Sequence, residues 1–427
     1  MKNLTSPARL AVDATIAAGI VAGSLRHRRQ LGLRRRELAR AAHNQLLLAS
    51  GLQPAKYVKF GKQIFMDSYA PAWPSRAFDA LMRSFARGID REREFIDYAI
   101  FAITNRCMFR CAHCYAIDML QREETLSLGE ILDTVRALKQ IGVGVLSLEG
   151  GEPMLRFEEL LQIIDAVAPE TSPWIATTGY GLDSAKAHQL REAGLVGATI
   201  SLDHWEPARH NAVRGSPRAF DLAVAAVRLL REAGVFPVIG VVASRELLAG
   251  DGLLRFLSFA GEVGAGMIQL LDPMPAGRYL NERGVHFQRH ELQRLIDFQI
   301  AANSDPRYRD LPAVSARAFV EDEARFGCGM GGNQYLYIDA SGNLQPCIYL
   351  NAAIGNLKQE GFWPAYQRMR RLFPRPVDGP CPVFSLHRAV AEAHQQGVPL
   401  PLPPEHTERI CAGLQRRGLP RLLRKIQ

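Results

Sequence analysis

Cys107, Cys111 and Cys114 fall within eight residues, directly after the apolar run Tyr98–Thr104 and the polar pair Asn105 and Arg106. Three thiols in one short loop can converge on a metal centre. Structural zinc usually takes four closed ligands, often as paired C-x2-C hooks. Here one tight triplet stands without an adjacent fourth ligand, and His113 lies inside the loop, too close to swing round freely. A four-iron cluster held by three thiolates keeps one iron open for a small ligand. Zinc and three inert core thiols are the alternatives to this iron–sulfur reading. The chain has seven cysteines, an odd number that does not suit a secreted disulfide scaffold. A reducing, cytoplasmic compartment is the expectation.

Two further groups could bind a ligand. Gly150, Gly151, Glu152 and Pro153 follow the second predicted strand. Glycines let backbone approach a ligand closely, and Glu152 offers a negative partner for an ammonium. Ser201 and Asp203 end the fourth predicted strand, where Ser-x-Asp alone reads as a helix cap. Four cysteines remain: Cys328, Cys347, Cys381 and Cys411.

The elements that must position these groups are legible as alternating periodicities. Tyr98–Thr104, Val143–Leu148, Trp174–Thr178, Ala198–Leu202, Val235–Val242 and Met267–Leu271 read as strands. Leu128–Ile141, Phe157–Val167, Ser184–Ala193, Ala219–Ala233 and Leu253–Val263 read as helices between them. Six strands alternating with helices predict an α/β core with a parallel sheet, open or closed as a barrel. Its functional loops belong at the strand C-terminal ends. From about Leu311 the rhythm stops, and Gln334–Ile338 and Asn343–Cys347 flank a turn over 339–342. That hairpin brings Cys328 and Cys347 together across strands. Residues 70–76 read as a Pro-rich linker, and Val12, Ile16 and Ile20 as a helical stripe rather than part of a signal peptide. A second helical piece is expected over Leu38–Leu48.

The loop over Arg106–Ala116 resembles the radical S-adenosylmethionine (SAM) superfamily, whose motif is Cys-x3-Cys-x2-Cys after the first strand. The resemblance covers roughly Tyr98 to Arg278. It implies a partial (β/α)6 TIM-like barrel. It further implies a [4Fe–4S] cluster on Cys107, Cys111 and Cys114, and SAM bound through Gly150, Gly151, Glu152 and Pro153. Ser201 and Asp203 would contact the ribose. Thr177, Thr178 and Gly179 resemble the family's "TNG" turn with Thr178 in place of Asn, and Pro275–Arg278 resembles its "P-x-G-R" exit. The spacing Cys328-x13-Gly342-x4-Cys347 resembles the opening of the SPASM domain. With only Cys381 and Cys411 following, it looks like the shortened, twitch-like version holding one auxiliary iron–sulfur cluster. The family's chemistry is reductive cleavage of SAM to methionine and a 5′-deoxyadenosyl radical, which abstracts a substrate hydrogen. Flavodoxin or ferredoxin is the kind of electron donor implied.

The expected organisation is a basic helical extension over 1–90, the core over 91–310 and a small α+β auxiliary module over 311–427. The 427 residues carry a net charge of +9, with +9 in residues 1–60, +6 in 409–427 and −6 between them. No apolar run reaches the ~18 residues of a bilayer span. Basic ends attract phosphate, so an anionic membrane surface is a candidate partner for the N-terminal segment. Nucleic acid is a weaker candidate, because the charge is terminal and not interleaved with aromatics. The leading functional reading is a maturase or oxidoreductase acting on a peptide side chain. A second is modification of a lipid or hydrophobic small molecule at a membrane. A third, of another class, is a non-catalytic iron–sulfur carrier or scaffold.

Overall fold

The computed structural model describes residues 1–4, 14, 56–86, 96, 98–120, 122–325, 327–377, 380–412 and 414. The helical stripe at Val12, Ile16 and Ile20, the piece at Leu38–Leu48 and the expected membrane-docking segment lie outside them.

Six parallel strands alternate with helices as the periodicity predicts. They are β4 (Tyr98–Thr104), β5 (Val145–Gly150), β6 (Ser172–Thr177), β7 (Gly197–Ser201), β8 (Phe236–Val242) and β9 (Met267–Leu271). Local signals set the helix ends. Ser127 and Glu130 form a reciprocal capping box at the start of helix Leu128–Gln140. Gly264 ends helix Gly252–Val263 in the left-handed region that favours glycine. Outward residues such as Ile175, Ala198, Ile200, Val241 and Leu270 are sealed from solvent, as expected when helices cover a parallel sheet.

The sheet does not stop at the expected boundary near residue 310. Strand β10 (Ala313–Ala316) adds in parallel beside β9, and β11 (Tyr335–Ile338) adds in parallel beside β4. The expected hairpin then pairs β11 with β12 (Asn343–Gln345), and β13 (Gly355–Asn356) completes a ten-stranded sheet. The C-terminal region thus supplies a strand to each side of the core. β11 was expected only as a hairpin strand, and its parallel pairing with β4 is a tertiary contact that no local period encodes; β10 has four residues, too few for a period to register.

The expected helical character of 1–90 is also corrected in part. β1 (Lys2–Leu4), β2 (Tyr57–Phe60) and β3 (Gln63–Phe65) form a small antiparallel sheet, followed by helix Arg76–Ala86. Residues 70–76 are not a free linker: Trp73 bridges to Ile64 and Ala72 is buried. Phe65 stacks on Phe236 with centroids 3.8 Å apart and meets Trp174 edge-on. With Val58, Val145 and Met267 these rings close the N-terminal end of the parallel sheet. Among the described residues, no helix is long and apolar enough to cross a membrane.

Candidate active site

Cys107, Cys111 and Cys114 lie just past the end of β4, all partly exposed. Five backbone hydrogen bonds with three other segments hold their loop. Gly151 N–H donates to Thr104 O and Glu152 N–H to Arg106 O, both at 2.8 Å. Ala112 N–H donates to Val213 O at 2.8 Å and Arg110 N–H to Arg214 O at 3.3 Å. Arg278 N–H donates to Cys114 O at 3.1 Å. The loop is therefore clamped by the turn after β5, by the end of helix Pro207–Arg214 and by the exit from β9.

The glycines explain how the clamps fit. A β-carbon on Gly151 would collide with the Arg106 carbonyl, and one on Gly277 with the carbonyls of Cys114 and Tyr115. The sequence reading expected Gly150 and Gly151 to approach a ligand; the structure shows that they approach the cysteine loop's own backbone.

Glu152 also does something other than expected. It is fully buried. Its Oε1 accepts from Thr177 Oγ1 at 2.7 Å and Met154 N–H at 3.2 Å. Its Oε2 accepts from the Thr178 N–H at 2.7 Å and Thr178 Oγ1 at 2.5 Å. With four donors in place, this carboxylate is a strut between the turns after β5 and β6, not a free partner for an ammonium. Thr178, which departs from the resembled motif, is what completes it. Pro153 is buried at the first position of a short helical turn, where it gives up no needed N–H.

Asp203 is held in the same way. Its Oδ2 accepts from Arg214 Nε at 2.7 Å and lies 3.3 Å from His113 Nε2, while its Oδ1 accepts from Val242 N–H at 3.2 Å. Despite desolvation, Arg214, His113 and His210 hold it well below the usual carboxylate range. Both its oxygens are thus engaged by donors of the protein itself. It positions Arg214, whose Nη1 lies 3.8 Å from Cys111 Sγ. No motif at Arg214 marks it; only the fold brings it to the thiol. Ser201 is partly open and faces away from the helices.

Burial pushes Cys107 up to about 11 and Cys114 to about 12, so the bare thiols keep their protons near neutrality. Metal binding supplies the positive charge that displaces such protons. Among the described residues no three His, Cys, Asp or Glu side chains converge on a single-ion point. A four-iron cluster is a larger body held at its corners by separate thiolates, and a loop of three partly open cysteines fits that donor set.

A second thiol group forms where the C-terminal region meets the core. Cys328 and Cys347 are buried and Cys381 is partly so. A hydrogen bond between Cys328 and Cys381 holds Cys381 down and Cys328 up. Cys347 Sγ accepts from Tyr335 Oη and Tyr349 N–H, each at 3.4 Å. Buried Arg317 bonds Asp272 and, at 2.6 Å, Glu321, and its charge also favours the Cys381 thiolate. Cys411 stands apart, moved up to about 12 by burial alone.

Comparison with known proteins agrees with this architecture. The radical SAM superfamily matches residues 101–244. The AdoMet-dependent heme synthase of Methanosarcina barkeri is 25% identical over 68% of this chain and 88% of its own length. The GTP 3′,8-cyclase 1 of Pseudomonas aeruginosa is 30% identical over 56% of this chain and 73% of its own. Among solved structures, Streptococcus suis SuiB bound to precursor peptide SuiA superposes with a TM-score of 0.54 at 16% identity, covering 76% of each chain. The fold and site thus define an iron–sulfur enzyme of the partial TIM-barrel kind. The chain belongs to the radical SAM superfamily, and its cofactors are a [4Fe–4S] cluster and SAM. An enzyme family leaves no place for the non-catalytic carrier reading.

Proposed function

We propose that Cys107, Cys111 and Cys114 hold the [4Fe–4S] cluster, and that the enzyme abstracts hydrogen from a peptide side chain as a maturase or oxidoreductase. The carrying observation is the triply clamped cysteine loop at the C-terminal mouth of the parallel sheet. When bound, the cluster and SAM supply a one-electron reductive cleavage that yields a hydrogen-abstracting radical. The chain's own part is to hold and exclude. Gly150, Gly151 and Pro153 shape the turn that receives the methionine end of SAM, with Glu152 bracing it from behind. Ser201 faces the ribose. Arg214 sets the charge beside Cys111. Cys328, Cys347 and Cys381 hold one auxiliary cluster, and a flavodoxin or ferredoxin provides the electron. The core over 91–310 is assisted by the module over 311–427.

What supports the peptide reading over the lipid one is the fold shared with SuiB, a structure solved with its precursor peptide SuiA bound. The test is anaerobic reconstitution of wild type and of the triple Cys107→Ala, Cys111→Ala, Cys114→Ala protein, with 5′-deoxyadenosine measured after reduction by dithionite. Formation by wild type and background levels in the variant are expected. Equal formation by both would overturn the assignment.

A further inference from the structure

The strands carry an inverted exposure pattern. Outward residues Leu148, Ile175, Ile200, Val241 and Leu270 are sealed. Their neighbours Glu149, Ala176, Ser201, Val242 and Leu271 point inward and remain partly open. An interior filled by interlocking side chains would show no such openness. Gly240 faces the same interior, between Thr199 and Gln269 of the two adjacent strands. These partly open residues form a chamber at the C-terminal ends of the strands, with the Phe65, Trp174 and Phe236 rings packed at the opposite ends.

Glu149 faces this chamber. Its Oε1 accepts from Ser147 Oγ at 2.8 Å and its Oε2 from Tyr115 Oη at 3.2 Å. No Lys, Arg or His among the described residues bridges it, unlike Asp203 and Asp272. Burial pushes it up to about 6, so it is mostly ionised at neutral pH while lacking a counter-charge. Tyrosines surround it. Tyr115 meets Tyr337 and Tyr349 edge-on at 6.3 and 6.1 Å. The charge of Glu149 opposes ionisation of Tyr98, Tyr115 and Tyr337 alike, which places all three within electrostatic reach. One of these rings already carries a cation, the Arg317 guanidinium 5.8 Å from the Tyr349 centroid. That arginine is committed to Asp272 and Glu321 and does not neutralise Glu149.

We propose that the chamber takes a cationic substrate group, an alkylammonium or guanidinium, seated on the tyrosine faces and paired with Glu149. A carboxylate left alone in a desolvated site is costly, and a cation over aromatic faces gains most where water is excluded. An incoming ammonium supplies both missing terms. A neutral acyl chain supplies neither, and an anionic group is repelled. The inference rests on the proposed function only in setting the radical chemistry above the chamber; cation binding itself does not depend on it.

The test uses full-length, anaerobically reconstituted protein with SAM present. Binding of Nα-acetyl-lysine methylamide, Nα-acetyl-arginine methylamide and the neutral Nα-acetyl-norleucine methylamide is followed by saturation-transfer NMR. Both cations should saturate, with norleucine at least tenfold weaker. Glu149→Gln, which keeps the size and removes the charge, should weaken the cations at least tenfold, and Tyr98→Leu should weaken them while Glu149 remains. Circular dichroism verifies that each variant is folded. Equal binding of norleucine, or cation binding unchanged in Glu149→Gln, overturns the proposal. Loss of SAM affinity in Glu149→Gln in place of lysine affinity also overturns it, by assigning the carboxylate to the SAM cation. Failure of wild type to form 5′-deoxyadenosine would instead count against the radical assignment and leave the binding comparison readable.

Discussion

The two thiol groups are built in opposite ways. Cys107, Cys111 and Cys114 lie in one loop, partly open, and backbone hydrogen bonds from three neighbouring turns hold them. Cys328, Cys347 and Cys381 come from three separated segments: Cys328 bonds Cys381, the Arg317 charge favours the Cys381 thiolate, and Cys347 accepts from Tyr335 Oη and Tyr349 N–H. The first group needs correct local spacing and three close backbone approaches. The second needs a folded core before its members meet. A site that binds an exchangeable ligand must stay open, so its rigidity has to come from behind. A closed site can draw rigidity from burial.

The sharpest way to break this contrast is to remove each set in turn. Without the Cys107 triplet, reconstituted protein should retain about four irons, the content of one cluster, and lose 5′-deoxyadenosine formation. Without Cys328, Cys347 and Cys381 it should again hold about four irons but keep SAM cleavage. Iron assay and low-temperature electron paramagnetic resonance on each variant would decide, and zinc or no metal in the triplet variant would sink the second assignment.

Arg317→Met is next. It leaves Asp272 and Glu321 buried without their cation, a change that costs about 3–5 kcal/mol. Urea unfolding should report that loss, and the retained iron should fall by the auxiliary share while the first cluster survives. Loss of both clusters together would mean that the two groups are not separately supported.

Glu149→Gln gives a smaller, pH-dependent effect of opposite sign. The folded protein holds this carboxyl at about 6 against an ordinary 4.5, so it binds more protons than the unfolded chain between those values. Stability contributed by the residue therefore falls as pH rises through that window, and the penalty is complete above about 6. The variant should gain about 1–2 kcal/mol over wild type at pH 7.5 and nothing at pH 4, read from urea midpoints.

Thr178→Val removes one of the hydroxyl donors to Glu152 and should cost about 1 kcal/mol, with a lower SAM affinity because the braced turn loosens. The smallest effect is expected for Cys411→Ala: iron content unchanged, and stability lowered by about 1 kcal/mol from the small cavity. Loss of the auxiliary iron in that variant would bring Cys411 back as a ligand.

What sequence alone determined is the part governed by local pattern. Six strands and five helices between Tyr98 and Leu271 follow hydrophobic periods and could be placed within a residue or two, while the short helices Pro207–Arg214 and Arg245–Leu248 were missed. The Cys107 triplet and the Gly150–Pro153 turn were visible because their members are neighbours in the chain. Cys328 and Cys347 were named from their spacing about Gly342, which resembles the SPASM opening, with Cys381 after them; Cys411 was left undecided because it lies in a helical, basic context. Tertiary structure decided the rest. It gave Glu152 and Asp203 to bracing, because the Thr177, Thr178, His113, Arg214 and Val242 donors arrive from turns up to 90 residues away. It put β10 and β11 on the two sides of the core. It also turned Glu149 from one more letter in a strand into an unpaired charge among tyrosines. Desolvation and pairing are properties of what surrounds a side chain in space, and no local period encodes them.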